Sequence, residues 1–370
     1  MKLNKKISHS DKVFILIALV LCSMPILLQM GIINASSTVL YIGKCMAFAI
    51  VAIAIDLIWG YTGILSLGHG LYFSLGGYAM AMYLKLVSTE GAITDFMRVG
   101  GLSELPLIWK PFQFALPSFI LVFAVPAFAA WIIGYFIFKN RVKGVYFSII
   151  SQALTWAAYS LFIALSPYTN GNTGITEIRS IFGNIKGDAN FNNMIKLYYL
   201  TVALLVITYF IARIITKTKL GKLLVAIRDG ENRTYFSGYK VSSFKNFIYI
   251  VSAAMAGMAG AIFVNFNGSI TPSQMTIQYS IMMVIWVAVG GRGTILGAVI
   301  GAFLINLCEY NLSSGSMVQI WQYIIGGGFT IVIIFFKGGV VGVVSDFFER
   351  AKAKKNKAKT KESEANLCQN

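Results

Sequence analysis

Apolar runs of close to 20 residues recur along this chain, and no other feature limits its fold so tightly. A transmembrane α-helix needs about 20 consecutive apolar residues to cross the hydrocarbon layer. Runs of that size are read at 13–30, 38–59, 62–87, 112–138, 145–166, 195–215, 247–266 and 319–336. In hydrocarbon every backbone N–H and C=O must be paired inside the protein, so such runs fold as helices. A β-barrel would instead show spans of about 10 residues with alternating polarity. The expected fold is therefore all-α, a polytopic transmembrane bundle of about 8–10 spans. A further stretch, Tyr279 to Tyr310, is apolar but broken at Gly290-Gly291-Arg292-Gly293-Thr294. Its arms are read as two short crossings or one re-entrant pair.

Composition agrees with this class. Charged residues make up 12% of the 370 positions, against about 25% in a soluble protein. The first run is too long for a signal-peptide core and is read as a retained span.

Charge distribution sets an expected orientation. With both termini inside, the cations outside are Lys85, Arg98, Lys110, Arg179, Lys186 and Lys196, and Lys44 lies within a span. Every other Lys and Arg then falls inside, as the positive-inside rule requires. The net charge of +17 thus faces cytoplasm and anionic lipid, and no soluble domain is long enough to bind nucleic acid. The expected organisation is a cytoplasmic N-terminus at 1–12, a membrane body at 13–344 and a basic cytoplasmic tail at 345–370. The outside segments Ser88–Lys110 and Pro167–Asn193 are read as solvated loops or contacts for a soluble partner.

One cytoplasmic loop, Thr216–Asn246, is longer than a connection needs. It carries Lys217, Lys219, Lys222, Arg228, Arg233, Lys240 and Lys245 against Asp229 and Glu231. Leu220, Leu223, Leu224 and Ile227 fall at helical spacing within it, the mark of an apolar face. The expectation is that this face docks on a cytoplasmic partner.

Several chemistries are missing from the sequence. There is no Gly-x-x-x-x-Gly-Lys-Ser/Thr loop for nucleotide phosphates. Cys22, Cys45, Cys308 and Cys368 are scattered, with no metal-ligand or disulfide spacing. The ionisable residues expected in spans are Lys44, Asp56, His69 and Glu309. A charge at the bilayer centre costs about 3 kcal/mol or more, so each hints at function. Lys44 and Asp56 are far apart around a helix, and no acidic relay for a proton- or sodium-driven carrier is visible. A stand-alone channel or carrier would leave the long loop unexplained, and a membrane enzyme would need more than Asp56 and His69.

Glycines and polar residues fill the rest of the spans. Gly297-x-x-x-Gly301 suits close helix packing. Ser66, Gly68 and His69 lie in a Gly-broken stretch that exposes backbone groups, and Gln152, Trp156, Trp286 and Asn265 add polar or aromatic faces. Ser66, Gly68, His69, Gln152, Trp156 and Trp286 are the candidates for a solute path, with packing between helices as the alternative for each.

The stretch Asp56-Leu-Ile-Trp-Gly-Tyr-Thr-Gly-Ile-Leu-Ser-Leu-Gly-His-Gly70 resembles the permeases of branched-chain amino acid (Liv-type) ABC importers. Ala226-Ile-Arg-Asp-Gly-Glu-Asn-Arg233, followed by Gly238-Tyr-Lys-Val-Ser, resembles their ATPase-docking loop. Three stretches, Arg141–Thr155, Gly171–Thr176 and Val284–Thr294, point to the urea-importing branch of that family. The resemblance implies a second permease, two cytoplasmic ATP-binding subunits, an external solute-binding protein and a bacterial plasma membrane. No cofactor is then expected in this chain, because ATP sits on the separate subunits. It also assigns Arg228, Asp229, Glu231, Asn232, Arg233 and Gly238 to coupling with the ATPase. Of the Glu-Ala-Ala-x-x-x-Gly pattern common in such loops only Gly238 is kept, and the family's Pro-Lys-Gly reads Phe336-Lys337-Gly338. The expected solute is urea, a small neutral amide that needs hydrogen-bonding rather than charged partners, with a branched-chain amino acid or another small amide as the alternative.

Overall fold

The computed structural model describes residues 9–29, 36–142, 144–185 and 191–313, with isolated positions between 323 and 342. The expected span at 319–336 lies outside the described residues but for isolated positions, as does the tail at 345–370. The described chain is built of helices: α1 (His9–Gln29), α2 (Ser36–Thr62), α3 (His69–Ser88), α4 (Asp95–Val99), α5 (Ala115–Lys139), α6 (Val145–Ala164), α7 (Ser166–Thr169), α8 (Phe191–Lys217), α9 (Lys219–Phe236), α10 (Val241–Asn267), α11 (Ile277–Gly290) and α12 (Ile295–Ser313). Seven of these, α1, α2, α5, α6, α8, α10 and α12, are long and apolar enough to cross a membrane. The fold is an all-α polytopic membrane bundle.

Burial sorts the spans. Helices α2 and α10 are enclosed by their neighbours, whereas α1, α5 and α6 leave most of their surface outward. A helix that is apolar all round and enclosed forms the core of such a bundle. Glycine permits the closest contacts. A Cβ on Gly76 of α3 would strike the backbone of Gly257 in α10, and one on Gly260 would strike the carbonyl of Phe73. Gly297 and Gly301 of α12 meet the backbone of Gly290 and Trp286 in α11. The Gly-x-x-x-Gly pair therefore packs helices, and the broken stretch is two helices folded against each other around 291–294.

Span three begins later than expected. Gly63 closes α2 with a positive φ of 79° and its N–H donates to the Trp59 carbonyl. Residues 63–68 then run without helical structure, and α3 starts at His69. At membrane depth such backbone needs partners from protein. Hydroxyls of α6 and α11 supply them: Ser148 donates to the Leu65 carbonyl, Ser151 accepts from Leu67 N–H, and Ser280 accepts from Gly70 N–H.

The segments at the end opposite α9 are packed rather than loosely solvated. Ile175 and Ile270 exchange both backbone hydrogen bonds. Trp109 donates to the Tyr168 carbonyl and Lys85 to that of Thr176. Met97, Phe112, Ile175 and Ile178 are buried beneath this cover.

At the other end, the expected loop is mostly helix. Helix α9 lies against α2, α8 and α10. Leu224 and Ile227 are buried, and Leu220 and Leu223 are half-buried. Full burial of such a side chain stabilises by about 1.5–3 kcal/mol. The apolar stripe therefore fastens α9 to its own bundle, which corrects the expectation that it meets a partner. A stripe shows that one face is covered without showing by what.

Candidate functional site: a polar cavity and the α9 face

Helices α2, α10, α11 and α12, with residues 273–276, line a half-open cavity of about 530 Å³. Its wall has a polar part that includes Tyr41, Lys44, Gln274, Gln278, Asn306 and Glu309. Phe48, Phe263, Met282 and Ile285 make the wall apolar on other sides. Lys44 donates to Asn267 Oδ1 at 2.8 Å, and the Tyr41 hydroxyl donates to the Asn306 carbonyl at 2.6 Å. Two further wall residues hold buried donors with no hydrogen-bond partner, the Tyr279 hydroxyl and Trp286 Nε1. Both donor atoms are shut off from the cavity by the surrounding side chains, and leaving a buried donor unpaired costs about 1–3 kcal/mol.

The path candidates fall into three places. Trp286 is on the chamber wall. Ser66, Gly68 and His69 come together, fully buried, at the start of α3. There His69 Nε2 lies 2.7 Å from Ser252 Oγ, which donates to the Ala54 carbonyl. A Cβ on Gly68 would press on the Ser151 carbonyl and Thr155. This trio thus joins α3 to α2, α6 and α10. Gln152 is half-buried on α6, and the exposed Trp156 borders a shallow cleft with Gln278, Ile281 and Met282. Asn265 holds the cover, accepting from Ile181 N–H at 2.8 Å. The sequence signalled Lys44 and Glu309 only as charges in spans; their meeting in one chamber depends on contacts between distant helices.

The coupling candidates gather on α9 and beside it. The helix bends at Gly230, whose φ and ψ of −168° and 76° are not helical. The Thr234 hydroxyl lies 3.1 Å from the carbonyls of both Ala226 and Gly230 and steadies the bend. Before it, Arg228 Nη1 donates to the Gly60 carbonyl at 2.9 Å, at the end of α2. Arg228 also pairs with Asp229 at 2.9 Å on the surface. After the bend, Glu231 pairs with the buried Lys245 at 2.8 Å, while Asn232 and Arg233 face outward. Gly238, with a φ of 87° and open space around it, forms the turn into α10.

A second link meets α2 one turn away. Asp56, fully buried, accepts from Gly293 N–H at 2.7 Å. Arg292 donates to the Trp59 carbonyl and lies over the Trp59 ring. The last turn of α2 is thus held from one side by α9 and from the other by the 291–294 turn.

A family model described as branched-chain amino acid transport system, permease component, matches residues 37–335. The chain belongs to this permease family. Its relatives include the high-affinity branched-chain amino acid transport system permease protein LivM of Salmonella typhimurium, 23% identical over 318 residues, covering 80% of this permease and 67% of LivM. The corresponding protein BraD of Pseudomonas aeruginosa is 21% identical over 80% of this permease and 91% of BraD. The ribose import permease protein RbsC of Escherichia coli K12 is 24% identical over 57% of this permease and 65% of RbsC. No solved structure matches.

Proposed function

We propose that this permease is the membrane-spanning subunit of an ATP-driven importer, and that its solute is urea. It works with a second permease, two cytoplasmic ATP-binding subunits and an external solute-binding protein in the bacterial inner membrane. Both termini and α9 face the cytoplasm. Solute delivered from outside enters the chamber between α2, α11 and α12. Movement of α9, imposed by the ATP-binding subunits, reaches the end of α2 through Arg228 and tilts the helices between outward- and inward-open states. ATP drives this only through contacts that differ between the two states.

The observation that carries the solute reading is the chamber wall. Its amide and hydroxyl groups, on Tyr41, Gln274, Thr276, Gln278 and Asn306, complement a small neutral molecule with one carbonyl and several N–H groups. The carbonyl accepts from side-chain amide N–H and hydroxyl groups of this wall, and the N–H groups donate to Gln, Asn and Thr oxygens. A second reading, a branched-chain amino acid, is favoured by one specific feature. Lys44 and Glu309 share this wall with Phe48, Met282 and Ile285, a set that could take a carboxylate, an ammonium and an apolar side chain.

Glu309→Gln separates the two. Urea carries no charge for Glu309 to balance, so its uptake should change by less than about twofold. Loss of a charged partner to the bound ammonium costs about 2 kcal/mol, so leucine uptake would fall at least about tenfold under the second reading. Tritiated leucine and carbon-14 urea uptake into vesicles holding the whole complex measures both. Leucine uptake that depends on Glu309, with no urea uptake, rejects urea.

A further inference from the structure

At the α9 end, a groove of about 380 Å³ runs between the α5–α6 turn and the α9–α10 turn. Among the described residues, four cations line it, Lys139, Arg141, Lys240 and Lys245, against one acid, Glu231. Glu231 is paired with Lys245, so the charge left facing the groove is positive. From this geometry we infer a binding site for the headgroup of an anionic diacyl phospholipid. It rests on this end lying at the cytoplasmic membrane surface and is independent of which solute is moved.

Three observations carry it. First, Arg141 stands where a glycine is favoured. Val142 N–H donates to the Ile137 carbonyl and Arg141 N–H to that of Phe138, the pairing of a Schellman helix end. Arg141 is the left-handed residue of that motif, with a φ of 54°, a conformation that costs a side chain about 1–2 kcal/mol. The guanidinium is then held over the Tyr235 ring, 4.6 Å from its centre, at the groove's edge. Second, the groove opens below membrane-facing surface. On α5 the outward residues Phe128, Trp131 and Tyr135 pack on one another and lead to Lys139, whose Nζ donates to the Tyr135 hydroxyl, and Tyr146 and Ile149 at the start of α6 are also outward. Acyl chains can lie along that surface while the phosphate reaches the cations. Third, the groove's own rim is aromatic: Phe236 is 83% exposed beside Tyr235. Aromatic side chains and basic pockets at this depth are the groups that meet lipid headgroups. A soluble phosphate would use the cations but gain nothing from the apolar faces above them.

The test is native mass spectrometry of the complete complex, with dioleoyl phosphatidylglycerol and dioleoyl phosphatidylcholine titrated in. The wild type should retain the phosphatidylglycerol preferentially. Arg141→Gly suits the backbone and preserves the fold while removing one cation. It should weaken phosphatidylglycerol retention about fivefold, and Arg141→Gly with Lys240→Ala about thirtyfold, with phosphatidylcholine unchanged. Equal retention of both lipids, or unchanged affinity in the double variant, overturns the site. Competition by glycerol 1-phosphate as strong as by phosphatidylglycerol makes it a soluble-phosphate site and overturns the lipid. No phosphatidylglycerol retained by the complete complex, in which the ATP-binding subunits are bound, gives the groove to them instead and overturns the site. Solute uptake plays no part in this readout, so an error about the solute would leave the result intact.

Discussion

Replacing Arg228 with Ala should loosen the link between ATP hydrolysis and transport while leaving hydrolysis running. Arg228 makes two visible contacts of very different worth. Its pair with Asp229 is on the surface, with side chains 36% and 59% exposed, and such pairs contribute about 0–1 kcal/mol. Its bond to the Gly60 carbonyl at 2.9 Å is partly buried and joins α9 to α2 across 168 positions of sequence. A hydrogen bond from a charged group contributes about 1.5–3 kcal/mol. Solvent reaches the side chain, which reduces this to about 1 kcal/mol, or about fivefold in the equilibrium constant for holding Arg228 on Gly60. In proteoliposomes holding the whole complex, solute moved per ATP hydrolysed should therefore fall about fivefold in Arg228→Ala. Asp229→Ala, which breaks only the surface pair, should change it by less than about twofold. Equal losses in the two variants, or an unchanged ratio in Arg228→Ala, would refute the idea that the Gly60 contact transmits the stroke.

Other substitutions test the frame around this link. Gly76→Ala drives a Cβ into the Gly257 backbone and should cost about 1–3 kcal/mol or more, whereas Gly238→Ala has open space and only the strain of its φ of 87°, about 1 kcal/mol; melting temperatures in detergent should fall in that order. Asp56→Ala orphans the Gly293 N–H and should destabilise by about 1–3 kcal/mol, while Asp56→Asn keeps an acceptor and should recover most of that loss in the same assay. Asp11 is nearly buried and accepts from Arg213 and Lys217, each at 2.8 Å. Removing one partner of a buried pair costs about 3–5 kcal/mol, and with Lys217 half exposed about 2 kcal/mol is expected for Asp11→Ala. Faster proteolysis within α1 should report it.

The spans were legible because hydrocarbon leaves an apolar run few choices but a helix. Helices α2, α5, α8 and α10 appear within a few residues of their apolar runs. What escaped was partnership. The stripe on α9 announced a covered face, but whether α8 and α2 or another subunit covers it depends on tertiary packing. The late start of α3 escaped for a similar reason. Apolar residues 64–67 satisfy a hydropathy window, and only the hydroxyls of Ser148, Ser151 and Ser280 let that backbone leave the helix. His69 stood out as a lone polar head, and its partner Ser252 lies 183 residues away. Lys44 and Asp56 offered no pairing by helical spacing. Lys44 in fact meets Asn267, and Asp56 meets Gly293.

The central claim is that this permease passes urea across the membrane when ATP is hydrolysed by its partner subunits. The most direct measurement is carbon-14 urea accumulation in vesicles containing the permease, its partner permease, both ATP-binding subunits and the binding protein. Accumulation that requires ATP and persists in a large excess of leucine is the predicted result. Urea entry that is the same without ATP, or ATP-driven uptake of leucine in place of urea, would contradict it.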